Sequence, residues 1–187
     1  MSKLETNTID TISGSTDLQL GSTNATIIKA NNKISFNNSG DGIYLGVTTP
    51  TASNLLDDFE EGTWTGELRG ATTAATTPVT ATGKYVKIGG LVFVKIYFGN
   101  VNTTGASGVA QITGLPFAAE SLQILPVMTY GQDYDDTTAV MSIQMYLENN
   151  TTAQLIATKD NGAWQTTGIT AGATKFFALT GSYYTTA

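Results

Sequence analysis

The feature that most constrains the fold of this chain is a pair of apolar runs, residues 84–88 and 91–98, joined by Gly89-Gly90. Both runs are rich in β-branched and aromatic residues, and a two-glycine connection is typical of a β-hairpin. One face of this hairpin carries Val86, Ile88, Leu91, Phe93 and Tyr97, and the other carries Tyr85, Val92, Val94, Ile96 and Phe98. A strand with one face in water alternates apolar and polar residues. We therefore expect both faces to be covered, one by an opposing sheet and the other by a neighbouring subunit.

The rest of the chain from residue 54 onward also reads as β structure. Short runs with strand character recur at 110–113, 122–130, 139–147, 154–158, 168–170 and 175–182, and no segment has a sustained helical period. The acidic stretch 57–62 reads as a turn that leads into a strand at 63–65. The sequence therefore predicts an all-β fold, with a β-sandwich (jelly-roll-like) head domain over residues 54–187.

The first fifty residues have a different pattern. Apolar residues fall eight positions apart, at Ile12, Leu20, Ile28, Phe36 and Tyr44, with turn-forming residues between them. This spacing fits successive rungs of short strands, although a polar β-meander could produce it by coincidence. Each rung has too few apolar side chains to offset roughly 1–2 kcal/mol of backbone entropy per ordered residue. We therefore expect residues 1–53 to form a trimeric β stem or attachment segment, in which other chains close over these five side chains.

Composition excludes several classes of function. The 187 residues include no cysteine and no histidine, and nine basic residues face fifteen acidic ones for a net charge of −6. Disulfide scaffolds, thiolate or imidazole zinc sites, cysteine nucleophiles and Ser-His-Asp triads are therefore excluded. Nucleic-acid binding is disfavoured because it needs clustered Lys and Arg. No apolar run is long enough for a membrane span and the start does not resemble a secretory signal, so we expect no membrane partner and use within the compartment of synthesis.

Carboxylates are the strongest acid–base groups that remain. Asp57, Asp58, Glu60 and Glu61 are dense enough for a glycosidase pair, but a solvated linker is the favoured interpretation. Asp133, Asp135 and Asp136 could hold a hard cation such as calcium. Counted from Asp133, however, the EF-hand positions that need Gly and Glu hold Thr138 and Gln144. We therefore favour an exposed loop over a metal site and expect no metal, no cofactor and no catalytic residues.

Aromatic residues provide a second kind of candidate site, because sugar rings stack on aromatic planes. Such residues are Trp64, Trp164, Tyr130, Tyr134, Tyr183 and Tyr184, and Trp64 fits a core or interface position better. The candidate ligand loop consists of Tyr130 and Tyr134 as stacking surfaces with Asp133, Asp135 and Asp136 as hydrogen-bond acceptors. The alternative is a solvated loop without a ligand.

Three stretches together resemble tail-fibre-like and head-appendage structural proteins of marine bacteriophages. They are LDDFEEGTWT at 56–65, GKYVKIG at 83–89 and ITGLPF at 112–117, and their order and spacing also fit. The sequence departs from the family pattern at Gly66, where proline is usual, and at Phe59, where tyrosine is commoner. The resemblance implies homotrimers and no enzymatic activity, and it transfers no catalytic residue.

These observations favour a non-enzymatic bacteriophage virion protein, located on the virion surface after assembly in the host cytoplasm. As a homotrimeric fibre- or spike-like appendage it would attach to the major capsid protein or to a tail protein and could bind a host surface glycan. As a capsid decoration (cement) protein it would clamp neighbouring capsomers without a ligand. An enzyme such as a glycan depolymerase is a third, less favoured interpretation.

Overall fold

A computed structural model describes residues 34–36, 38, 40–46, 51–134 and 140–186, and the structural statements below concern these residues. They contain eleven β-strands and one 3-10 turn at Ala52–Asn54. The strands are β1 (Ile43–Tyr44), β2 (Leu55–Leu56), β3 (Phe59–Gly70), β4 (Val79–Ile88), β5 (Leu91–Val101), β6 (Ala110–Thr113), β7 (Gln123–Tyr130), β8 (Val140–Leu147), β9 (Thr152–Lys159), β10 (Gln165–Thr166) and β11 (Lys175–Tyr184). The all-β prediction is confirmed. In the described part of the chain, no helix has the length and apolarity needed to cross a bilayer.

Eight of the strands form one closed antiparallel barrel. Neighbours around the barrel follow the order β3, β4, β5, β11, β7, β8, β9 and β6, and β6 pairs with β3 to complete the circuit. Closure depends on β9, which pairs with β8 along its length and with β6 through its first residues. The short strand β10 adds to the far end of β9, and β1 pairs with β2 in a separate ribbon.

The closed sheet differs from the predicted sandwich. A sandwich consists of two packed sheets with free edges, whereas here the β8–β9 pairing joins what would be the two edges of one sheet. Closure is favourable because it satisfies the backbone groups that an edge strand leaves unpaired. The two-sheet arrangement is therefore not confirmed, and the head is a barrel.

The core fills the inside of the barrel. Its largest fully buried side chains come from every barrel strand except β4 and are Leu68, Val92, Phe98, Ile112, Leu125, Met145, Leu147, Leu155, Phe177, Leu179 and Tyr183. An eight-stranded barrel is narrow enough for side chains to fill it. Trp64 also lies inside, as the sequence predicts, and is 6% exposed.

The predicted hairpin is confirmed in its turn, register and faces. Ile88 pairs with Leu91, and Gly89 has φ +55°. On β5 the side chains of Val92, Val94, Ile96 and Phe98 point into the core, whereas Phe93 and Tyr97 are exposed outside. The sequence thus separates the inner from the outer face of this hairpin correctly.

Two sequence predictions about local structure are wrong. Residues 59–62 belong to strand β3 instead of a turn, because each of them pairs with a residue of β4. Residues 168–170 form no strand; Gly168 makes one isolated bridge to Val109, and the strand of this region is β10.

Of the five predicted stem residues, Ile12, Leu20 and Ile28 lie outside the described residues. Phe36 and Tyr44 are both exposed in the single chain, and Tyr44 pairs with Leu55 in the β1–β2 ribbon. The stem and its boundary at residue 53 remain predictions.

Candidate functional site

The predicted ligand loop is divided between two environments. Tyr130 ends β7 on the outside of the barrel, is 65% exposed and packs edge-to-face on Phe176 with ring centroids 5.6 Å apart. Tyr134 is half-buried against the core, and its hydroxyl shares a hydrogen bond with that of Thr129. Burial raises the pKa of Tyr134. The two tyrosines therefore do not form one stacking platform.

The described part of this loop is hydrogen-bonded to the segment before β11 and to Lys175 at its start. The Asp133 backbone N–H donates to the Thr170 hydroxyl at 2.7 Å, and the Gln132 side chain accepts from the Thr170 backbone N–H at 3.1 Å. The Lys175 ammonium group donates to the Gly131 carbonyl. Asp133 and Tyr134 line a cleft of about 520 Å³ with residues 165–170 of that segment. Asp135 and Asp136 lie outside the described residues.

The acidic stretch 57–61 contributes mainly to the structure. Asp58 forms an ion pair with Lys87, whose ammonium group also lies 5.6 Å from the Phe117 ring centroid. Glu60 accepts a hydrogen bond from the Tyr85 hydroxyl, and this bond raises the pKa of Tyr85. Within the described ranges, no group of three or more Asp, Glu, His or Cys side chains is placed to hold a metal ion.

The most unusual surface is the outside of the barrel over β3, β4, β5, β11 and β7, which we call the outer face. Apolar side chains project from it and are between 43% and 65% exposed. They are Phe59, Ile88, Phe93, Tyr97, Met128, Tyr130 and Tyr184. Exposed apolar areas bordered by polar residues mark interaction sites, so this face has the character of an interface.

The strand register arranges the outer face in rows that run across four strands. One row is Phe59, Ile88, Leu91 and Tyr184, and the next is Glu61, Val86, Phe93 and Ser182. The third row, which we call the lysine row, is Thr63, Lys84, Lys95 and Thr180. On the other side of the lysine row lie Tyr97 and Ala178, followed by Phe176 and Tyr130. A charged stripe thus separates two apolar areas.

The lysine row lies in a shallow cleft of about 650 Å³. Its lining includes both lysines, Glu61, Phe93 and the hydroxyl residues Thr63, Thr180 and Ser182. Lys84 and Lys95 are direct partners in the ladder and both are exposed. Like charges in this arrangement destabilise a sheet. Among the described residues, neither lysine has a carboxylate within ion-pair distance.

A second, smaller cleft lies over β7, β8 and β9 and has a volume of about 260 Å³. Its walls are mostly apolar, and Trp164 packs at a tilt on Tyr146 with ring centroids 5.6 Å apart. Trp164 was one of the aromatic candidates from the sequence, and here it is 54% exposed. Tyr184 belongs to the outer face, whereas Tyr183 is buried in the core.

The sequence pattern predicts three of the seven apolar side chains of the outer face, namely Ile88, Phe93 and Tyr97. The alternation within residues 84–98 identifies the apolar side chains of β4 and β5. The contributions of β7 and β11 depend on which distant strands become neighbours, and the local pattern carries no signal for that.

The chain matches no protein-family model, no curated protein and no solved structure.

Proposed function

We propose that this chain is a non-enzymatic structural protein of a bacteriophage virion, a homotrimeric fibre- or spike-like appendage on the particle surface. The observation that carries the proposal is the outer face, whose seven apolar side chains are left uncovered by the rest of the described chain. At about 150–250 Å² per large side chain, their exposed parts amount to on the order of 700 Å². A stable interface of standard size buries about 800 Å² per partner.

The resemblance in residues 56–117 supports a virion role for such an assembly. In this proposal residues 1–53 form the trimeric stem, and the exposed Phe36 and Tyr44 side chains are covered by the neighbouring chains. The acidic stretch 57–61, the densest run of carboxylates in the chain, supports a structural role because Asp58 and Glu60 bind Lys87 and Tyr85.

The assembly is tested by sedimentation equilibrium of the purified full-length chain over a wide range of concentrations. The proposal expects a mass about three times 19.6 kDa, with exposed apolar surface, measured by binding of a fluorescent hydrophobic dye, increasing on dilution. A chain that stays monomeric throughout would contradict the proposed homotrimer.

A capsid decoration protein is the second candidate, because the exposed apolar side chains of the outer face would also suit packing against a neighbouring capsomer. Quantitative mass spectrometry of purified particles separates the two roles. A copy number that scales with the major capsid protein indicates decoration, whereas a small number fixed by one attachment site indicates a fibre or spike.

A further inference from the structure

We propose that the outer face is self-complementary, and that the lysine row of one copy binds Glu61 of the next copy of the same chain. This inference rests on the proposed homotrimer and adds the surface and the charged groups that would specify it. Lys84 and Lys95 stand side by side between two apolar areas, so any partner that covers those areas also covers both ammonium groups.

Covering the lysines without a counter-ion is strongly unfavourable, because a buried unpaired charge loses its hydration without compensation. A partner that fits this face must therefore present carboxylates flanked by apolar side chains. The described chain has such a surface at the β3 side of the same face. Glu61 is exposed there, and Phe59, two residues before it, is 60% exposed.

The carboxylate of Glu61 is available for such a contact. Its neighbours Asp58 and Glu60 are engaged by Lys87 and Tyr85, whereas Glu61 makes no ion pair with any described residue. Within one chain Glu61 is diagonal to Lys84 in the ladder but forms no ion pair with it. Negative charge therefore lies at the β3 side of the face and positive charge at its centre.

This arrangement favours a second copy over an unrelated protein, because the face supplies both halves of the contact. A contact in which the same two residues meet in both directions is isologous, whereas one in which Glu61 faces one neighbour and the lysine row faces the other is heterologous and closes into a ring when the rotation permits. In a three-membered ring each copy gives Glu61 to one neighbour and the lysine row to the other. The exposed apolar area, on the order of 700 Å², is shared between the two neighbours in a ring, so each contact also needs polar surface to reach the roughly 800 Å² per partner of a standard interface.

Charge reversal tests the pairing. The variants are Glu61→Lys, the double variant Lys84→Glu with Lys95→Glu, and the triple variant that combines all three changes. Glu148→Lys, in the exposed turn after β8, is the matched control for charge. Sedimentation equilibrium gives the trimer dissociation midpoint of each, and circular dichroism with thermal unfolding verifies that the barrel is folded.

We expect Glu61→Lys and the double variant each to raise the midpoint concentration by about tenfold or more, since like charges then meet across the contact. The triple variant should return to within about threefold of the wild type, and Glu148→Lys should stay there. A trimeric wild type whose midpoint is unchanged in both reversals would overturn this inference alone and assign the lysine row to another partner. Reversals that dissociate the trimer without recovery in the triple variant would also overturn it. A monomeric wild type would instead contradict the proposed function.

Discussion

Trp64 lies inside the barrel against two residues without side chains, Gly66 on its own strand and Gly83 on β4. A Cβ atom at position 83 would lie 2.5 Å from the Cε2 atom of Trp64, closer still to its Nε1, and 2.7 Å from the Lys95 carbonyl oxygen, all far inside van der Waals contact. Because Trp64 and Gly83 are direct ladder partners, the indole covers the glycine and occupies the space of its missing side chain. These glycines are part of the packing of the tryptophan.

We therefore predict that Gly83→Ala lowers the free energy of unfolding by roughly 2 kcal/mol, as expected for overpacking of a core. Gly162→Ala is the control, because its nearest neighbour would be 3.5 Å away in an exposed turn. In a Trp64→Phe background the smaller ring should accommodate the new methyl group, and Gly83→Ala should cost less. Chemical denaturation of the wild type, the two single variants Gly83→Ala and Trp64→Phe, and the double variant measures this coupling. Equal costs of Gly83→Ala in both backgrounds would disprove the packing explanation.

The buried Tyr183 hydroxyl makes two hydrogen bonds to the backbone of Phe117. It donates to the carbonyl oxygen at 2.8 Å and accepts from the N–H group at 3.3 Å. Burial raises the pKa of Tyr183 to about 12, and the hydrogen bond that its oxygen accepts from the Phe117 backbone lowers the pKa only in part. An unfolded tyrosine titrates near pH 10.

Stability should consequently fall in alkali. Between pH 10 and pH 12 the unfolded chain loses the Tyr183 proton while the folded chain retains it, so the free energy of unfolding decreases as pH rises, by roughly 2 kcal/mol. This contribution is complete below pH 10. Tyr183→Phe should be less stable at neutral pH by about 1–3 kcal/mol but should lack this alkaline decrease. Denaturation curves at several pH values compare the two proteins, and parallel alkaline profiles would contradict the assignment to Tyr183.

At the scale of the elements, the β4–β5 hairpin shows how far a local pattern can predict a fold. Its turn, its register and the direction of each side chain follow from alternation and from Gly89-Gly90, because all of them depend on neighbouring residues only. We predict that Gly89→Ala costs about 1 kcal/mol through its left-handed φ of +55°, with no steric clash. Gly89→Asn should cost less, because asparagine tolerates this region. Equal melting temperatures for Gly89→Ala and the wild type would disprove the turn argument.

The elements that sequence reasoning misjudged depend on distant partners. Residues 59–61 read as a turn because of their acidity, yet they pair with β4. Lys87 of β4 binds Asp58 and the Tyr85 hydroxyl donates to Glu60, and these contacts make an acidic strand favourable here. Barrel closure through β8 and β9 also depends on distant partners, because no local pattern indicates which strand edges will pair. Tyr134 looked exposed beside its aspartates, but its ring packs on the core.

The candidate ligand loop is best tested at Asp133. Asp133→Ala changes an exposed side chain outside the outer face, whereas Tyr130→Ala would alter the outer face and Tyr134→Ala would remove part of the core packing. If the loop binds a host glycan, Asp133→Ala should reduce adsorption of particles to cells by about tenfold while particle yield stays normal. Trp164→Ala, in the aromatic cleft over β7–β9, provides the comparison. A loss of adsorption in Trp164→Ala alone would indicate that the glycan binds in that cleft instead of at the loop.

At the scale of the whole molecule, the chain combines a closed barrel with an N-terminal segment of low apolar content. The barrel closes its own sheet and fills its own interior. Its outer face and the exposed side chains of Phe36 and Tyr44 are different, because both leave large apolar groups in water. In the proposed trimer, folding of the head and assembly of the particle protein are therefore separate steps that respond to different substitutions.

Phe36→Asp should affect assembly and leave the barrel unchanged. In the proposed stem this change brings one carboxylate from each chain towards a common axis, and unpaired buried charges are costly. Ser35→Asp is the matched control, because adjacent side chains of an extended segment point in opposite directions. We expect Phe36→Asp to raise the trimer dissociation midpoint by at least about tenfold with an unchanged thermal transition of the barrel, and Ser35→Asp to raise it far less. Equal midpoints for the two variants would reject the stem while leaving the outer face as the site of assembly.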